Sequence, residues 1–373
     1  MNFEIEQKKL IEHLNYVIKG ISNKNLIPIL NCIKMELTND GLYLLSTNND
    51  IAIKSFIPAN EITAIKSTGI IVVYGKYLYE IIKKLPSEII SIEEVLEDKI
   101  NIFTPKSSFY LNCNKVDDFP ILNLEETNEP ILINKKVLKN LINQTIFATS
   151  LEESRPVLTG INFQIINNKL KCTATDSYRL ASKEIELDQK TENELNIIIP
   201  GKNMVELNKI VNDEDDVAEL HIFNNNIIFK FSNIVFMSRL INGTYPNTSA
   251  LVPNEFNLKF KVKKTDIYNS IDRASLLTNE YEKHTIKLES QNNEVIVSSN
   301  IPEIGKVEER LIVEKNNDNN ITISFSAKYM LEALRSVEEE YIELLFNGEL
   351  KPFIIKNIED DSLLQLILPI RTY

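Results

Sequence analysis

The sequence predicts an α+β fold of three repeated domains, each with two helices packed on a mostly antiparallel sheet. One observation is a lysine that opens an apolar, helix-like run every 126 residues, at Lys76, Lys202 and Lys328. Another is an amphipathic segment that begins with a lysine pair, at residues 8–20, 135–147 and 263–275. Because features that agree in order and spacing seldom arise by chance, we expect three tandem copies of one unit.

Further anchors recur once in each unit. A short polar turn follows an apolar strand at Thr47, Thr175 and Ser299. A proline follows another apolar strand at Pro120, Pro246 and Pro369. The length of 373 residues and this period predict domains at residues 1–125, 126–253 and 254–373. The segments 123–130 and 250–257 contain proline, lack periodicity and are interpreted as linkers.

The apolar spacing in each unit predicts a helix, strands, a second helix and more strands. In the first helix Leu10, Leu14 and Val17 lie on one apolar stripe at helical spacing. The six predicted helices span residues 8–19, 75–84, 134–150, 201–211, 263–275 and 326–337. Alternating or apolar runs predict strands, for example at 41–46, 51–57, 161–166 and 285–290. Since most links between strands are short, the sheets are predicted to be antiparallel.

Charge is unevenly divided between the helices and the rest of the chain. The formal net charge is −12, yet the six predicted helices carry +10 and the remainder therefore carries −22. One interpretation is that the lysines simply cover solvated helix faces. The other is that all six helices share one basic surface that faces a polyanion.

Composition favours a soluble, cytoplasmic protein. No apolar run approaches the ~18 residues that a membrane-spanning helix needs. Acidic residues near the N-terminus, in MNFEIEQKK, argue against a secretory signal peptide. Cys32, Cys113 and Cys172 follow no metal-binding or disulfide spacing and are expected to be buried, reduced thiols.

Motifs for catalysis, cofactors or metals are not found. His13, His221 and His284 fall at unrelated repeat positions without metal-ligand spacing. The run around Gly75 resembles the end of a phosphate-binding loop, but Ile70 and Tyr77 replace the glycine and the hydroxyl residue such a loop requires. Adjacent acidic residues, at 117–118 and 152–153, are interpreted as solvated loops. We therefore expect neither an enzyme nor a bound cofactor or metal.

The C-terminal run LQLILPIRTY is a predicted strand that runs into a proline. Leu366 and Leu368 are either ordinary core residues or part of a binding surface. Because Pro369 cannot continue a strand ladder, Ile370 and Arg371 are expected to be free to line a surface groove.

Several segments together resemble a known family. They are IPIL at 27–30, RPVLTG at 155–160, TATDSYRLA at 173–181, SRLINGTYPNTSALVP at 238–253 and the terminal LILPIRTY. They are similar to the β subunit of bacterial DNA polymerase III, the sliding clamp family, and the similarity covers essentially the whole chain. The resemblance implies a head-to-tail dimeric ring with helices inside and sheets outside, the DNA clamp fold. It also implies a processivity factor that encloses duplex DNA without sequence readout.

A geometric estimate agrees with a ring of two chains. If helix axes circle a duplex of roughly 10 Å radius, with helix half-width about 5 Å and a thin water layer, the circle is roughly 120 Å around. At ~10 Å between packed helices, closing that circle takes about twelve helices. This chain supplies six predicted helices, so two chains would close the ring.

The resemblance also assigns binding residues by position. The residues expected to face DNA are Lys24, Lys76, Arg155 and Lys202. A groove for short peptides of the polymerase III α subunit, the clamp loader and other replication or repair proteins is expected between the second and third repeats. Its residues are Leu158, Thr175, Ser177, Tyr178, Arg179, Leu180, Pro246, Leu251, Tyr329, Leu366, Ile367, Leu368, Pro369, Ile370 and Arg371. Two positions depart from the family pattern: Tyr178 replaces a usual histidine, and Ala250 stands where some members have arginine.

The ring-closing interface is expected to join the first repeat of one chain to the third repeat of the other. The residues assigned to it are Phe109 and Leu111 on one side and Leu276 and Leu277 on the other, with Lys106 opposite Glu308 or Glu309. Two other functions remain open from the residues alone. One is a triplicated enzyme with acid–base carboxylates near Asp176, and the other is a tandem-repeat scaffold that does not bind DNA.

Overall fold

A computed structural model describes residues 1–21, 26–86, 88–96, 98–126, 129–189, 194–212, 216–253, 255–279 and 284–371. The element order recurs three times: one strand, a helix, four strands, a second helix and three strands. Two short additional strands, one in the first repeat and one in the third, interrupt this order. The repeat predicted from lysine and proline spacing is therefore a repeat of secondary structure.

The bounds of the elements follow the predicted pattern. The first repeat contains β1 Asn2–Glu6, α1 Gln7–Val17, β2 Cys32–Leu37, β3 Gly41–Thr47, β4 Ile51–Pro58, β5 Ala64–Ser67, β6 Gly69–Tyr74, α2 Gly75–Lys84, β7 Ile89–Leu96, β8 Lys99–Thr104 and β9 Ser107–Asn114. The second contains β10 Ile131–Asn134, α3 Lys135–Thr145, β11 Gly160–Ile166, β12 Lys169–Thr175, β13 Arg179–Glu186, β14 Leu195–Pro200, α4 Gly201–Asn208, β15 Val217–Ile222, β16 Asn226–Phe231 and β17 Ile234–Arg239. The third contains β18 Leu258–Lys263, α5 Lys264–Ser275, β19 Thr285–Gln291, β20 Glu294–Ile301, β21 Gly305–Ile312, β22 Glu314–Lys315, β23 Thr322–Ser326, α6 Ala327–Arg335, β24 Tyr341–Phe346, β25 Phe353–Asn357 and β26 Leu363–Ile367.

All six helices begin within one residue of their predicted starts, and several end earlier than predicted. The first and third helices pass into 3-10 turns at Ile18–Gly20 and Ile146–Ala148. Such turns are common at helix ends, where the last carbonyl groups have no partner within the helix. The apolar periodicity continues through them, which is why the sequence overestimates helix length.

The start of the first helix is held in the same way in every repeat. The backbone N–H of its first residue donates to a carbonyl beyond the second helix, in the pairs Gln7–Glu88, Lys135–Asp216 and Lys264–Glu340 at 3.0, 2.8 and 2.8 Å. These bonds satisfy one of the free N–H groups of each helix N-terminus. The side chain of Lys135 is fully buried and lies 3.3 Å from Asp216. Counting Lys135 within a basic helix surface was therefore wrong.

The strands form three sheets in which every pairing is antiparallel, as predicted. The thirteen-stranded sheet has the order β10-β15-β16-β17-β4-β3-β2-β6-β9-β8-β7-β1-β5. The nine-stranded sheet has the order β14-β11-β12-β13-β26-β25-β24-β18-β22, and the four-stranded sheet β21-β20-β19-β23. The chain divides into two compact units, residues 1–136 with 206–240 and residues 137–205 with 241–373. The first unit holds the thirteen-stranded sheet and the second holds the other two.

One pairing rule joins consecutive repeats. The last strand of a repeat pairs with the third strand after the first helix of the preceding repeat. Thus β17 pairs with β4, and β26 pairs with β13. We call the β4–β17 contact, in the first unit, the first junction. The β13–β26 contact, in the second unit, is the second junction.

The interior is aliphatic and aromatic, and the cysteines lie at its edge or within it. Cys32 and Cys172 are buried as expected, whereas Cys113 is half-buried. Burial raises the pKa of Cys32 and of Cys113 to about 11 and raises that of Cys172 further. The thiols are therefore protonated and weakly nucleophilic near neutral pH. Within the described ranges, no helix is both long and apolar enough to cross a membrane.

Candidate functional site

A tight polar turn positions the residues at the start of β13. The Thr175 hydroxyl donates to the Arg179 carbonyl at 2.5 Å. One Asp176 carboxylate oxygen accepts the backbone N–H groups of Tyr178 and Arg179 at 2.9 and 3.0 Å. Ser177 has a φ of 77°, in the left-handed region that L-residues seldom adopt. The Asp176 carboxylate is thus part of the turn, which weakens its candidacy as a catalytic acid or base.

The Arg179 side chain is buried and held on several sides. Its Nε donates to the second Asp176 carboxylate oxygen at 3.1 Å, and one terminal nitrogen donates to Glu332 of α6. The guanidinium carbon lies 4.4 Å from the ring centre of Tyr329 and 5.3 Å from that of Phe147. Charge-assisted hydrogen bonds and cation–π contacts together fix this side chain. Arg179 therefore links the turn to helix α6 and to the predicted groove residue Tyr329.

Tyr245 ties the segment after β17 to the same turn. Its hydroxyl oxygen accepts the backbone N–H of Thr175 at 3.0 Å, and its ring packs with Leu158 and Ile198. Burial raises the pKa of Tyr245, so the phenol stays neutral. This bond places the neighbouring predicted groove residue Pro246, which is exposed, beside the turn.

An apolar face runs across the second junction and becomes polar along the strands. Leu180 lies opposite Leu366, and the next residues on that face, Ser182 and Leu364, also lie opposite one another. A cavity of about 190 Å³ opens over this face. It is lined by Lys171, Leu180, Ser182, Glu184, Thr248, Ser249, Val252, Asp361, Ser362 and Leu364.

The C-terminal segment continues beyond Pro369 with fixed backbone contacts. The Leu368 N–H donates to the Tyr178 carbonyl at 2.9 Å, and the Ile370 N–H donates to the Ser324 carbonyl of β23 at 2.7 Å. The backbone of Ile370 is therefore held after the proline, and the groove role of its half-buried side chain remains a prediction. The chain crosses from the nine-stranded to the four-stranded sheet. Its side chains at 368–370 are half-buried, and Arg371 is exposed.

The structure brings the predicted groove residues together with unequal exposure. The buried ones are Leu158, Thr175, Arg179, Leu180, Leu366 and Ile367. The half-buried or exposed ones are Ser177, Tyr178, Pro246, Leu251, Tyr329, Leu368, Pro369, Ile370 and Arg371. Ile367 is only 1% exposed and packs inside the core of the third repeat. Treating Ile367 as groove lining was therefore wrong, because in this chain its side chain belongs to the core.

The residues predicted to face DNA lie in both units. Lys76 and Lys202 are the exposed second residues of α2 and α4. Arg155 is exposed and donates to the Ser177 hydroxyl at 3.4 Å. Lys24 lies outside the described residues.

Two strand edges carry the residues predicted for ring closure. β9 pairs along its length with β8, but among the described strands its other edge meets only β6, at Cys113 and Asn114. β21 is the outer strand of its sheet and pairs with β20. Phe109 is 40% exposed on β9, and Leu276, beside β21, is 79% exposed. Leu111 and Leu277 are half-buried, and Lys106 is exposed in the turn before β9.

The acidic residues of β21 already have partners in the same chain. Glu308 pairs with Lys306, and Glu309 accepts two hydrogen bonds from Arg273 at 2.9 and 2.6 Å. These cations lower the pKa of both carboxylates. A contact with Lys106 of another chain would have to share or replace them.

Three possible metal ligands meet in the first unit. One ligand atom each of Glu126, Glu219 and His221 lies within 4.8 Å of the others. The Lys230 ammonium already lies 2.6 Å from Glu126 and 3.6 Å from Glu219. This cation offsets part of the negative charge of the two carboxylates and occupies one side of the cluster.

Comparison with known families covers the chain from end to end. The N-terminal, central and C-terminal domain models of the DNA polymerase III β subunit match residues 1–124, 132–247 and 249–371. The chain belongs to this family, the DNA sliding clamps. The family matches fall one on each repeat.

Individual relatives match this clamp over their whole length. The β sliding clamp of Bacillus subtilis is 40% identical over 378 residues, and that of Staphylococcus epidermidis is 41% identical over 377, each covering 100% of both chains. The crystal structure of the Bacillus subtilis clamp is 39% identical, with a TM-score of 0.95 and full coverage of both chains. That of the Streptococcus pyogenes β subunit is 33% identical, also with a TM-score of 0.95 and full coverage.

Sequence reasoning missed several surface residues of this clamp. Tyr110, Ile304 and Ile312 are 64%, 71% and 80% exposed and lie on or beside the two strand edges. The sequence gives no sign that these side chains are exposed, because which strand edge stays unpaired depends on distant strands. Lys328, exposed at the second position of α6, was noticed only as a repeat marker. Its position matches those of Lys76 and Lys202.

Proposed function

We propose that two copies of the chain join head to tail into a closed ring that encloses duplex DNA. The ring tethers the replicative polymerase and other proteins to their template. The single observation that carries the proposal is the pairing rule between consecutive repeats. Within the chain it is satisfied twice, by β17 with β4 and by β26 with β13. In the part of the chain that the structure describes, one last strand of a repeat and one third strand after a first helix do not pair by this rule.

The leftover strands are β9 and β21. β9 is the last strand of the first repeat, and β21 is the third strand after the first helix of the third repeat. Among the described strands, neither has the partner that the rule gives to β17 and β26 or to β4 and β13. An unpaired edge with exposed apolar side chains is a template for pairing with another chain. Pairing β9 of one chain with β21 of the next would extend the rule across chains and give a heterologous contact that closes as a ring.

Helix charge supports DNA as the enclosed partner. Within their observed bounds α1 to α6 carry +1, +2, +3, 0, 0 and +1, which sums to +7 and leaves −19 for the rest of the chain. This division draws a polyanion to the helices and repels it elsewhere. Lys76, Arg155 and Lys202, with Lys24, are proposed to contact phosphates, and Lys328 joins them by its equivalent position. Such contacts carry no sequence information and weaken as salt is raised. Enclosure, rather than affinity, would then keep the protein on DNA.

Partner proteins are proposed to dock at the second junction through short peptides with leucine and aromatic anchors. The DNA polymerase III α subunit and the clamp loader are the expected partners. Buried Leu180 and Leu366 form an apolar floor, while Tyr178, Leu251 and Tyr329 offer partly exposed side chains around it. The cavity over this floor combines Leu180, Val252 and Leu364 with polar and charged side chains, which suits a peptide that presents both apolar anchors and polar groups. We propose domain boundaries near residues 125 and 253, a cytoplasmic location and no catalytic site in the chain.

Sedimentation of edge variants tests the head-to-tail contact. Phe109→Lys places a charge on the free edge of β9 and should convert a dimer to a monomer. Ile70→Lys is the matched control, because Ile70 is 39% exposed on β6 and Phe109 40% exposed on β9. The control should remain dimeric. A wild-type monomer, or a dimer unaffected by Phe109→Lys, would contradict the proposed interface.

A further inference from the structure

The two junctions have the same backbone construction. Thr47 and Ala52 lie opposite one another in the first junction, as Thr175 and Leu180 do in the second. Ala52 lies opposite Met237 just as Leu180 lies opposite Leu366. The first junction therefore contains a counterpart of the predicted partner groove, position by position.

The turns that lead into the junctions are also equivalent. Asn48 accepts the backbone N–H groups of Asp50 and Ile51 at 3.1 and 3.0 Å, as Asp176 does for Tyr178 and Arg179. Asn49 has a φ of 76° and Ser177 a φ of 77°. The backbone alone thus gives no reason for a partner to prefer the second junction.

The side chains after the repeated proline are different. Two and four residues after Pro120 stand Leu122 and Leu124, which pack on the buried cluster of Ala52, Ile228 and Met237. The segment is further held by Lys230, which lies 2.6 Å from Glu126. The described part of this segment therefore packs on the first unit, and its leucines cover the apolar face of the junction.

At the second junction the corresponding positions carry small side chains. Two and four residues after Pro246 stand Thr248 and Ala250. Thr248 lines the open cavity of about 190 Å³ above Leu180 and Leu364. The counterparts of Leu180 and Leu364 in the first junction are Ala52 and Val235, and both contact or belong to the cluster that the two leucines cover.

We infer that the residues two and four positions after the repeat proline decide which junction accepts a partner. Leu122 and Leu124 cover Ala52 and line a cavity of about 390 Å³ that does not include Ala52 in its lining. Thr248 and Ala250 leave Leu180, the counterpart of Ala52, at the wall of the second cavity, where a partner's apolar side chains can reach it. The inference rests on the proposed peptide groove. It explains why a chain with two equivalent grooves would present one.

Exchanging these residues tests the inference directly. The probe is a fluorescein-labelled peptide with two leucines and a C-terminal phenylalanine, titrated by anisotropy and by calorimetry. Thr248→Leu with Ala250→Leu should lower its affinity by at least about tenfold, because added side-chain volume occupies the groove. Thr265→Leu, which adds the same side-chain volume at an exposed position of α5 outside the cavity lining, is the control and should bind within about threefold of wild type.

The reverse exchange should open the first groove. Leu122→Thr with Leu124→Ala is expected to raise the stoichiometry from one peptide per chain to two, with a circular dichroism melt to verify folding. If wild type binds no peptide, the proposed groove itself fails. If wild type binds and the Thr248→Leu, Ala250→Leu protein binds equally well, the groove stands and this inference is overturned. A folded Leu122→Thr, Leu124→Ala protein that still binds one peptide would also overturn it.

Discussion

The first and second junctions share a scaffold and differ in what covers it. Both pair the last strand of one repeat with the third strand after the first helix of the preceding repeat, and both use the same polar turn with one residue near φ 77°. In the first, leucines of the chain itself lie on the apolar face. They leave a cavity of about 390 Å³ beside them that does not include Ala52 in its lining. In the second, the cavity is lined by Leu180 itself, and a buried arginine crosses to helix α6. The repeated fold supplies equivalent backbones at both junctions, and we infer that a few side chains decide which one accepts a partner.

Ile51 and Arg179 occupy equivalent positions, at the start of β4 and of β13. Substituting them should give the largest difference between the junctions. Ile51 is 1% exposed, and Ile51→Ala should cost about 2–5 kcal/mol because it leaves a cavity. Arg179→Ala should cost about 2–3 kcal/mol because Asp176 and Glu332 lose their cation. Both losses would appear in urea unfolding, but only Arg179→Ala should weaken peptide binding, since Arg179 stacks on Tyr329. Equal weakening by Ile51→Ala, measured where both variants are folded, would contradict the difference.

Phe119 and Tyr245 are equivalent, because each directly precedes the repeated proline. Substituting them should give an intermediate difference between the junctions. Phe119 packs with Cys32 and Val72 in the first unit, whereas Tyr245 also accepts the Thr175 N–H. Tyr245→Phe should cost about 1–3 kcal/mol, because it leaves a buried N–H without an acceptor. Phe119→Leu is the control for ring packing alone and should leave peptide affinity unchanged. Thermal unfolding of both variants compares their stabilities. A Tyr245→Phe protein as stable as wild type would contradict a stabilising role for the hydrogen bond between the Thr175 N–H and the Tyr245 hydroxyl.

The left-handed residues of the two turns should give the smallest effect. Asparagine tolerates this conformation better than serine does, so Ser177 carries more strain than Asn49. Ser177→Gly should therefore stabilise the protein by about 0.5 kcal/mol, after the entropy cost of glycine is subtracted. Asn49→Gly should be neutral or slightly destabilising. The reverse ranking of their unfolding midpoints would show that the two turns are not equivalent.

Local patterns predict the repeated elements well and their partners poorly. Helix starts at Gly75, Gly201 and Ala327 could be predicted because each follows a strand and opens an apolar period. The covering role of Leu122 and Leu124 could not, because two leucines in an aperiodic segment resemble a linker until distant Ala52 and Met237 are placed beneath them. The burial of Lys135 could not be predicted for the same reason, because its partner Asp216 is distant in the sequence.

The candidate site also contains residues that the sequence could assign and residues that it could not. The polar turn at Thr175 and its buried neighbours Arg179 and Leu180 could be assigned from a motif, since their spacing is short. Ile367 could not be placed correctly, because alternation along a strand does not say which face meets the core of another repeat. The free edges of β9 and β21 follow only from the complete pairing order of all strands.

Retention on DNA tests enclosure most directly. The protein, placed on nicked circular DNA by a clamp loader, should stay bound at high salt, where phosphate contacts are screened. Cutting that DNA once with a restriction enzyme should release it, because the ring can then slide off an end. Equal release from circular and linear DNA, or equal retention on both, would contradict a protein that holds the duplex by topology.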